Sequence, residues 1–136
     1  MRKIYTLIFL IFFVCGSKHD YKKEVEDFFK IREKAYANLD VDLMMSTYHP
    51  DFKDRGMDYR AKKAFYEKIF EKGNEYKFSV RNIRVAERNG LIYVRYDYKL
   101  DKNLSNNLRG FSQNMHDEVV ILKEYKGKLV EYGRQN

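Results

Sequence analysis

The chain has 136 residues, 44% hydrophobic and 16% aromatic, with twelve Tyr, ten Phe and no Trp. Its formal net charge of +7 comes from Lys and Arg interleaved with Asp and Glu, as in Tyr21-Lys-Lys-Glu-Val-Glu-Asp27; that pattern is a solvated surface and argues against a nucleic-acid partner. The single cysteine, Cys15, leaves the body of the chain without a disulfide, a thiol nucleophile or a cysteine metal site.

Residues 1–15 read as an export signal. Arg2 and Lys3 form a short positive start, and Ile4 to Val14 form an apolar run. That run is about 11 residues, the length of a signal-peptide hydrophobic region; a membrane-spanning helix needs roughly 20. Two cleavage sites compete. In one, Cys15 becomes the lipid-bearing first residue of an envelope lipoprotein, although Val14 stands where a small residue is usual. In the other, a general signal peptidase cuts after Gly16 and releases the protein to the periplasm or the medium. Removing Arg2 and Lys3 lowers the net charge from +7 to +5. Residues 16–19 form a tether and 20–136 a single domain, held by an ordinary core.

The first predicted helix starts at Asp20 as N-cap and runs to about Ala37. Tyr21, Val25, Phe28, Phe29, Arg32, Ala35, Tyr36 and Leu39 recur along it at helical spacing. Asp40 caps a short second helix, Val41 to Tyr48, which Pro50 stops. Phe52 to Asp58 is a loop holding at most a short strand. A third helix, Arg60 to Lys72, turns Ala61, Ala64, Phe65, Ile69 and Phe70 inward and ends at Gly73.

The period then changes to two. Tyr76, Phe78 and Val80 alternate, and Ile83 and Val85 continue with the parity shifted by one, which predicts a bulge near Asn82. Asn89-Gly90 is a two-residue hairpin turn. Leu91 to Leu100 is a strand with Ile92, Val94, Tyr96, Tyr98 and Leu100 on its apolar face. Asp101 to Arg109 is a polar loop. Gly110 to Tyr125 is one long strand, or two joined by a kink, and Lys128 to Gln135 is the last. Helices followed by an antiparallel meander make an α+β fold with the helices against one sheet face.

The order of several short motifs resembles the nuclear-transport-factor-2-like superfamily, which includes SnoaL-like and ketosteroid-isomerase-like proteins. These are the helix end Ala37-Asn38-Leu39-Asp40-Val41-Asp42, the segment Tyr48-His49-Pro50-Asp51-Phe52 and the closing Glu124-Tyr125-Lys-Gly-Lys-Leu129-Val130. Leu129 stands where the family often has Trp. The resemblance implies three N-terminal helices on a strongly curved antiparallel sheet, a cone with a pocket at its open end, and dimerisation through the convex face. It also implies a catalytic carboxylate about five residues after Asp51 in isomerase-like members. Here that position is Gly56, flanked by Asp54 and Asp58.

Candidate chemistry is sparse. Asp54 and Asp58 are weak carboxylate candidates, and His116, with Glu118 two residues on and therefore on the same face of the long strand, would form an acid–base pair or a surface ion pair. His19 falls in the tether and His49 at a helix end. No histidine or carboxylate spacing suits a metal, no serine has nucleophile-elbow context, and no glycine-rich phosphate loop exists, so no metal or cofactor is expected. Tyr48, Tyr96, Tyr98 and Tyr132 are the expected ligand-binding residues of an aromatic pocket. Three functions follow as expectations. The first is an envelope protein, held to the membrane by lipid on Cys15, that binds a small apolar ligand or a protein partner without chemistry. The second is an isomerase or dehydratase using Asp54, Asp58 or His116/Glu118. The third is a structural homodimer with a filled cone.

Overall fold

The computed structural model describes residues 19–105 and 110–136. The export segment with Cys15, and tether residues 16–18, lie outside the described residues. The elements are α1 (Lys22–Asn38), α2 (Val41–Met45), β1 (Lys53–Asp54), β2 (Met57–Asp58), α3 (Tyr59–Ile69), β3 (Glu75–Arg88), β4 (Leu91–Asn103), β5 (Phe111–Tyr125) and β6 (Lys128–Glu131). Strands β3-β4-β5-β6 pair in that order as one antiparallel sheet of four.

Helix α1 buries the stripe Val25, Phe28, Phe29, Arg32 and Ala35, an i, i+3, i+4, i+7 pattern along one side. Its N-cap position belongs to Tyr21, one residue later than expected, and Asp20 instead accepts the Lys22 N–H at 3.0 Å. Leu39 ends the helix at φ 52°, and Asp40 caps α2 through the Leu43 N–H at 2.9 Å. Helix α2 ends at Met45, well before Pro50. The chain leaves the helix because Thr47–His49 runs alongside β6: Glu131 N–H donates to Thr47 O at 2.7 Å and His49 N–H to Glu131 O at 2.8 Å.

Residues 52–58 form a small hairpin, β1 with β2, around Arg55 and Gly56 at φ 49° and 77°. Asp58 then caps α3. The inward face of α3 differs from expectation. Ala61, Ala64 and Phe65 face solvent, Phe65 at 43% exposure, while Tyr66 and Phe70 are buried and Lys62 and Ile69 are half-buried. The helix is rotated by about one position because Tyr66 brings both a large ring and a hydroxyl that finds a buried partner.

In the sheet, the parity slip in β3 is a bulge between Arg81 and Arg84, with Asn82 at φ 56°. The Asn89-Gly90 turn has both residues at positive φ, 52° and 78°, as a type I′ hairpin needs. Strand β4 extends to Asn103, beyond the predicted end. Strand β5 is continuous but carries its own bulge, between the Tyr96 and Tyr98 partners, with Asp117 at φ 53°. Strand β6 stops at Glu131, earlier than predicted, because the tail turns to bond elsewhere: Gln135 N–H donates to Lys53 O at 2.9 Å.

The two bulges face each other across β4 and share one carboxylate. Asp97 accepts the Asp117 backbone N–H at 2.9 Å and the Asn82 side-chain amide at 2.7 Å. Those bonds, the backbone one first, hold its carboxyl down to about 2. Arg84 and Arg95 in turn donate to the Asp117 carboxylate at 3.2 and 2.9 Å. Bulges bend a strand and raise its twist, so this paired device curls the sheet around α1. Val25, Phe28 and Phe29 pack there on Ile92, Val94, Val120, Leu122 and Leu129. A second core joins Ala35, Met44, Met45, Tyr48, Phe52, Tyr66, Phe70, Tyr76 and Leu100 at the other end of the helix.

Candidate functional site

The concave side of the sheet has a closed end, where Arg32 is buried, and a half-buried stretch over the middle of β4 and β5, its mouth. At the closed end α1 delivers Arg32 one turn beyond Phe28 and Phe29, buried at 7% exposure. Its Nε donates to Thr47 Oγ1 at 3.0 Å and its Nη2 to Glu131 Oε1 at 2.8 Å. The rings of Phe28 and Tyr48 flank the guanidinium at 4.3 and 4.6 Å from their centroids. Thr47 is fixed in turn, because its hydroxyl donates to Met44 O at 2.6 Å. Burial opposes the charge on Arg32, but the Glu131 carboxylate bound to it more than offsets this and the side chain stays cationic. The strand-like run of Thr47–His49 beside β6 brings Thr47 and Glu131 to the same guanidinium.

Tyrosines surround this pair. The Tyr48 and Tyr66 hydroxyls lie 3.1 Å apart, and Tyr36 packs on both Tyr66 and Phe78. Burial pushes the Tyr36, Tyr48, Tyr66 and Tyr96 phenols far above their ordinary range, so they stay neutral at any physiological pH. Lys62 of α3 reaches toward the rings of Phe65, Tyr48 and Phe52, at 5.5, 6.0 and 6.0 Å, and burial lowers its pKa.

The mouth is built from the middle of the sheet. Tyr96 packs on the buried Phe29 at 4.7 Å between ring centroids and on Tyr98 at 6.0 Å; Tyr98 packs on Phe78 at 5.7 Å. Gln113 donates to the Tyr98 hydroxyl at 3.2 Å. Glu118 stands opposite Tyr96 in register, and Met115 opposite Tyr98. Tyr96, Tyr98, Phe78, Gln113, Met115 and Glu118 are all half-buried.

The expected site residues separate into distinct places. Tyr48 lies at the closed end and Tyr96 and Tyr98 at the mouth. Tyr132 faces outward, against His49 and beneath the Lys123 ammonium, where it lines an external cleft of about 560 Å³ with Phe52, Lys53, Asp58 and Tyr59. Asp58 is engaged as the α3 cap, accepting the Ala61 N–H at 2.8 Å. Asp54 sits on the β1–β2 hairpin facing Arg134 at 3.9 Å. His116 and Glu118 do not share a face. The bulge at Asp117 interrupts the period of two, so His116 faces the convex surface, 3.7 Å from Asp97, while Glu118 is brought to the concave side. Sequence reasoning does not single out Glu131, Thr47, Tyr66 or Gln113. Arg32 alone carries a local signal, a charge in the middle of an apolar helix stripe.

No protein-family model matches the chain, and no curated protein matches it in sequence. Solved structures do match. Aln2 from a Streptomyces species aligns with TM-score 0.70 and 13% identity over 86% of this chain and 89% of its own. A ketosteroid isomerase-like protein from Erwinia carotovora atroseptica aligns with TM-score 0.64 and 12% identity over 85% and 94%. Bd1075 from Bdellovibrio bacteriovorus gives TM-score 0.64 and 11% identity over 82% of this chain, which spans only 39% of that protein. Identities this low speak for fold alone. The curled four-stranded sheet around a long helix is the nuclear-transport-factor-2-like cone fold, as the sequence resemblance implied.

Proposed function

We propose that this protein is an exported envelope protein, anchored by lipid on Cys15, whose cone binds a small, largely apolar ligand without altering it. One observation carries the binding reading. At the closed end Arg32 and Glu131 are bound to each other at 2.8 Å, so neither of these two is left to move a proton. What remains to meet a ligand is a wall of Tyr and Phe rings with neutral hydroxyls, the usual lining of a small-molecule site, with one carboxylate, Glu118, across from Tyr96. Of the carboxylates nearest to the isomerase-like position, Asp58 is engaged as a helix cap, and Asp54 faces Arg134 at 3.9 Å with its Oδ1 buried and without a hydrogen-bond partner. Export rests on the positive start and short apolar run of residues 1–15.

Two experiments test this reading. Native mass spectrometry of the protein purified from its own cells should find a small molecule bound, and Tyr98→Ala should release it. An empty protein with no thermal shift across a panel of apolar metabolites would sink the ligand-binding reading, and turnover of the bound molecule would favour the isomerase or dehydratase alternative. Cys15→Ser should move the protein from the membrane fraction to the soluble fraction and abolish labelling by a fatty-acid probe. Unchanged fractionation and labelling would remove the anchor.

A further inference from the structure

We propose that the mouth of the cone takes the cationic head of a small amphiphile, an alkylamine or quaternary ammonium group, with Glu118 as counter-charge and Tyr96 and Tyr98 as aromatic wall. This rests on the ligand-binding reading above and specifies the chemistry of the ligand.

Glu118 shares its lack of an ion pair with half-buried Glu26 and Glu33 of α1, but it alone of the three stands on the sheet, across from an aromatic ring. Glu131 is bound to Arg32, Asp97 to two backbone-fixed bulges, Asp117 to two arginines, and Asp54 faces Arg134. Among the described residues, no Lys, Arg or His lies within ion-pair distance of Glu118. A chain of net charge +7 has cations to spare, yet this half-buried carboxylate has aromatic neighbours in their place. Tyr96 stands directly across from it on β4, and Tyr98 and Phe78 continue the same wall.

The bulge in β5 decides which acid looks inward. Met115 faces the concave side, opposite Tyr98. A regular strand would next turn Asp117 inward and Glu118 outward, because successive side chains alternate. The extra residue reverses this. Asp117 goes to the convex surface, where Arg84 and Arg95 neutralise it, and Glu118 replaces it inside. The strand therefore spends a left-handed residue to place an unneutralised carboxylate in the trough. The faces of tyrosine rings attract cations through their quadrupole. The phenol beside Glu118, that of Tyr96, is held neutral by burial, so it adds no competing charge. An anionic head would meet Glu118 without a cation to offset it, since Arg32 lies deeper and is already paired.

The test is calorimetric titration of the full-length protein in lipid nanodiscs, with empty nanodiscs as blank and three probes of equal chain length: octyltrimethylammonium, octanol and octanoate. The cation should bind at least ~10-fold more tightly than octanoate, the size of effect a desolvated cation–aromatic and charge contact supplies. Glu118→Gln should reduce that ratio to within about two-fold while leaving octanol affinity unchanged, since one charge and no apolar surface is removed. Equal binding of all three probes by the parent protein overturns the cation assignment and leaves the ligand-binding reading standing. A cation preference that survives Glu118→Gln also overturns it. No heat above the blank for any probe overturns both.

Discussion

The closed end and the mouth of the cone are made of the same materials, tyrosine, phenylalanine and ionised side chains, arranged to opposite effect. At the closed end the polar groups are matched within hydrogen-bond distance: Arg32 holds Thr47 and Glu131, and the Tyr48 and Tyr66 hydroxyls hold each other. At the mouth the rings of Tyr96 and Tyr98 are half-buried, and Glu118 has no ion-pair partner among the described residues. A buried charge must be matched because its desolvation is not otherwise repaid. An unmatched one survives where water, or a ligand, can still reach it. The closed end is thus built for holding the fold and the mouth for meeting something else.

That contrast can be broken at its strongest point first. Arg32→Met or Glu131→Leu alone should destabilise the protein by ~3–5 kcal/mol, because each leaves one buried charge without its partner. The double variant should recover most of the loss, as read by denaturant unfolding. Singles that unfold with the parent's midpoint would mean the pair is not buried as described. Tyr66→Phe should remove one hydroxyl pair and cost about 1 kcal/mol, again at the closed end only.

The third probe is pH. Asp97 has its carboxyl held down to about 2 in the folded protein, against ~3.9 for an unperturbed Asp. Its stabilising contribution is therefore fully present above pH ~4 and is lost as pH falls through about 2. Asp97→Asn should lower the melting temperature at neutral pH, and the gap from the parent should close on acidification through that window. A gap independent of pH would show that the bonds from Asp117 and Asn82 do not depend on the charge. The smallest effect is expected at the mouth. Glu118→Gln should change stability by less than ~0.5 kcal/mol, as a partly exposed position without an ion-pair partner does. A large loss there would erase the distinction between the two ends.

Much of the scaffold is legible in local sequence. The parity slip between Val80 and Ile83 marks the first bulge, Asn89-Gly90 the hairpin turn, and Asp40 the start of α2, because each depends on one or two residues and a fixed backbone geometry. The site is less legible, for three physical reasons. Arg32 and Glu131 meet only through tertiary structure. The face of α3 is hidden because Ala61, Ala64 and Phe65 are apolar, whereas the packed side is set by Tyr66 and Phe70, the former with a hydroxyl that needs Tyr48. The bulge at Asp117 is masked because Val119-Val120-Ile121-Leu122 is apolar at both parities, and its cause, the Asp97 carboxylate, sits on the neighbouring strand. Strand alternation alone therefore puts His116 and Glu118 on one face, and the folded chain puts them on two.

The Arg32–Glu131 pair spans 99 positions of the chain. The guanidinium in the first helix lacks its carboxylate until residue 131 has been made, and Thr47–His49 has no strand to lie beside before then. Closing such distant contacts is slow compared with forming a helix or a hairpin. The order of events is fixed by this: the helix and the β3–β4–β5 meander can form as the chain emerges, but the cone is sealed by its last strand.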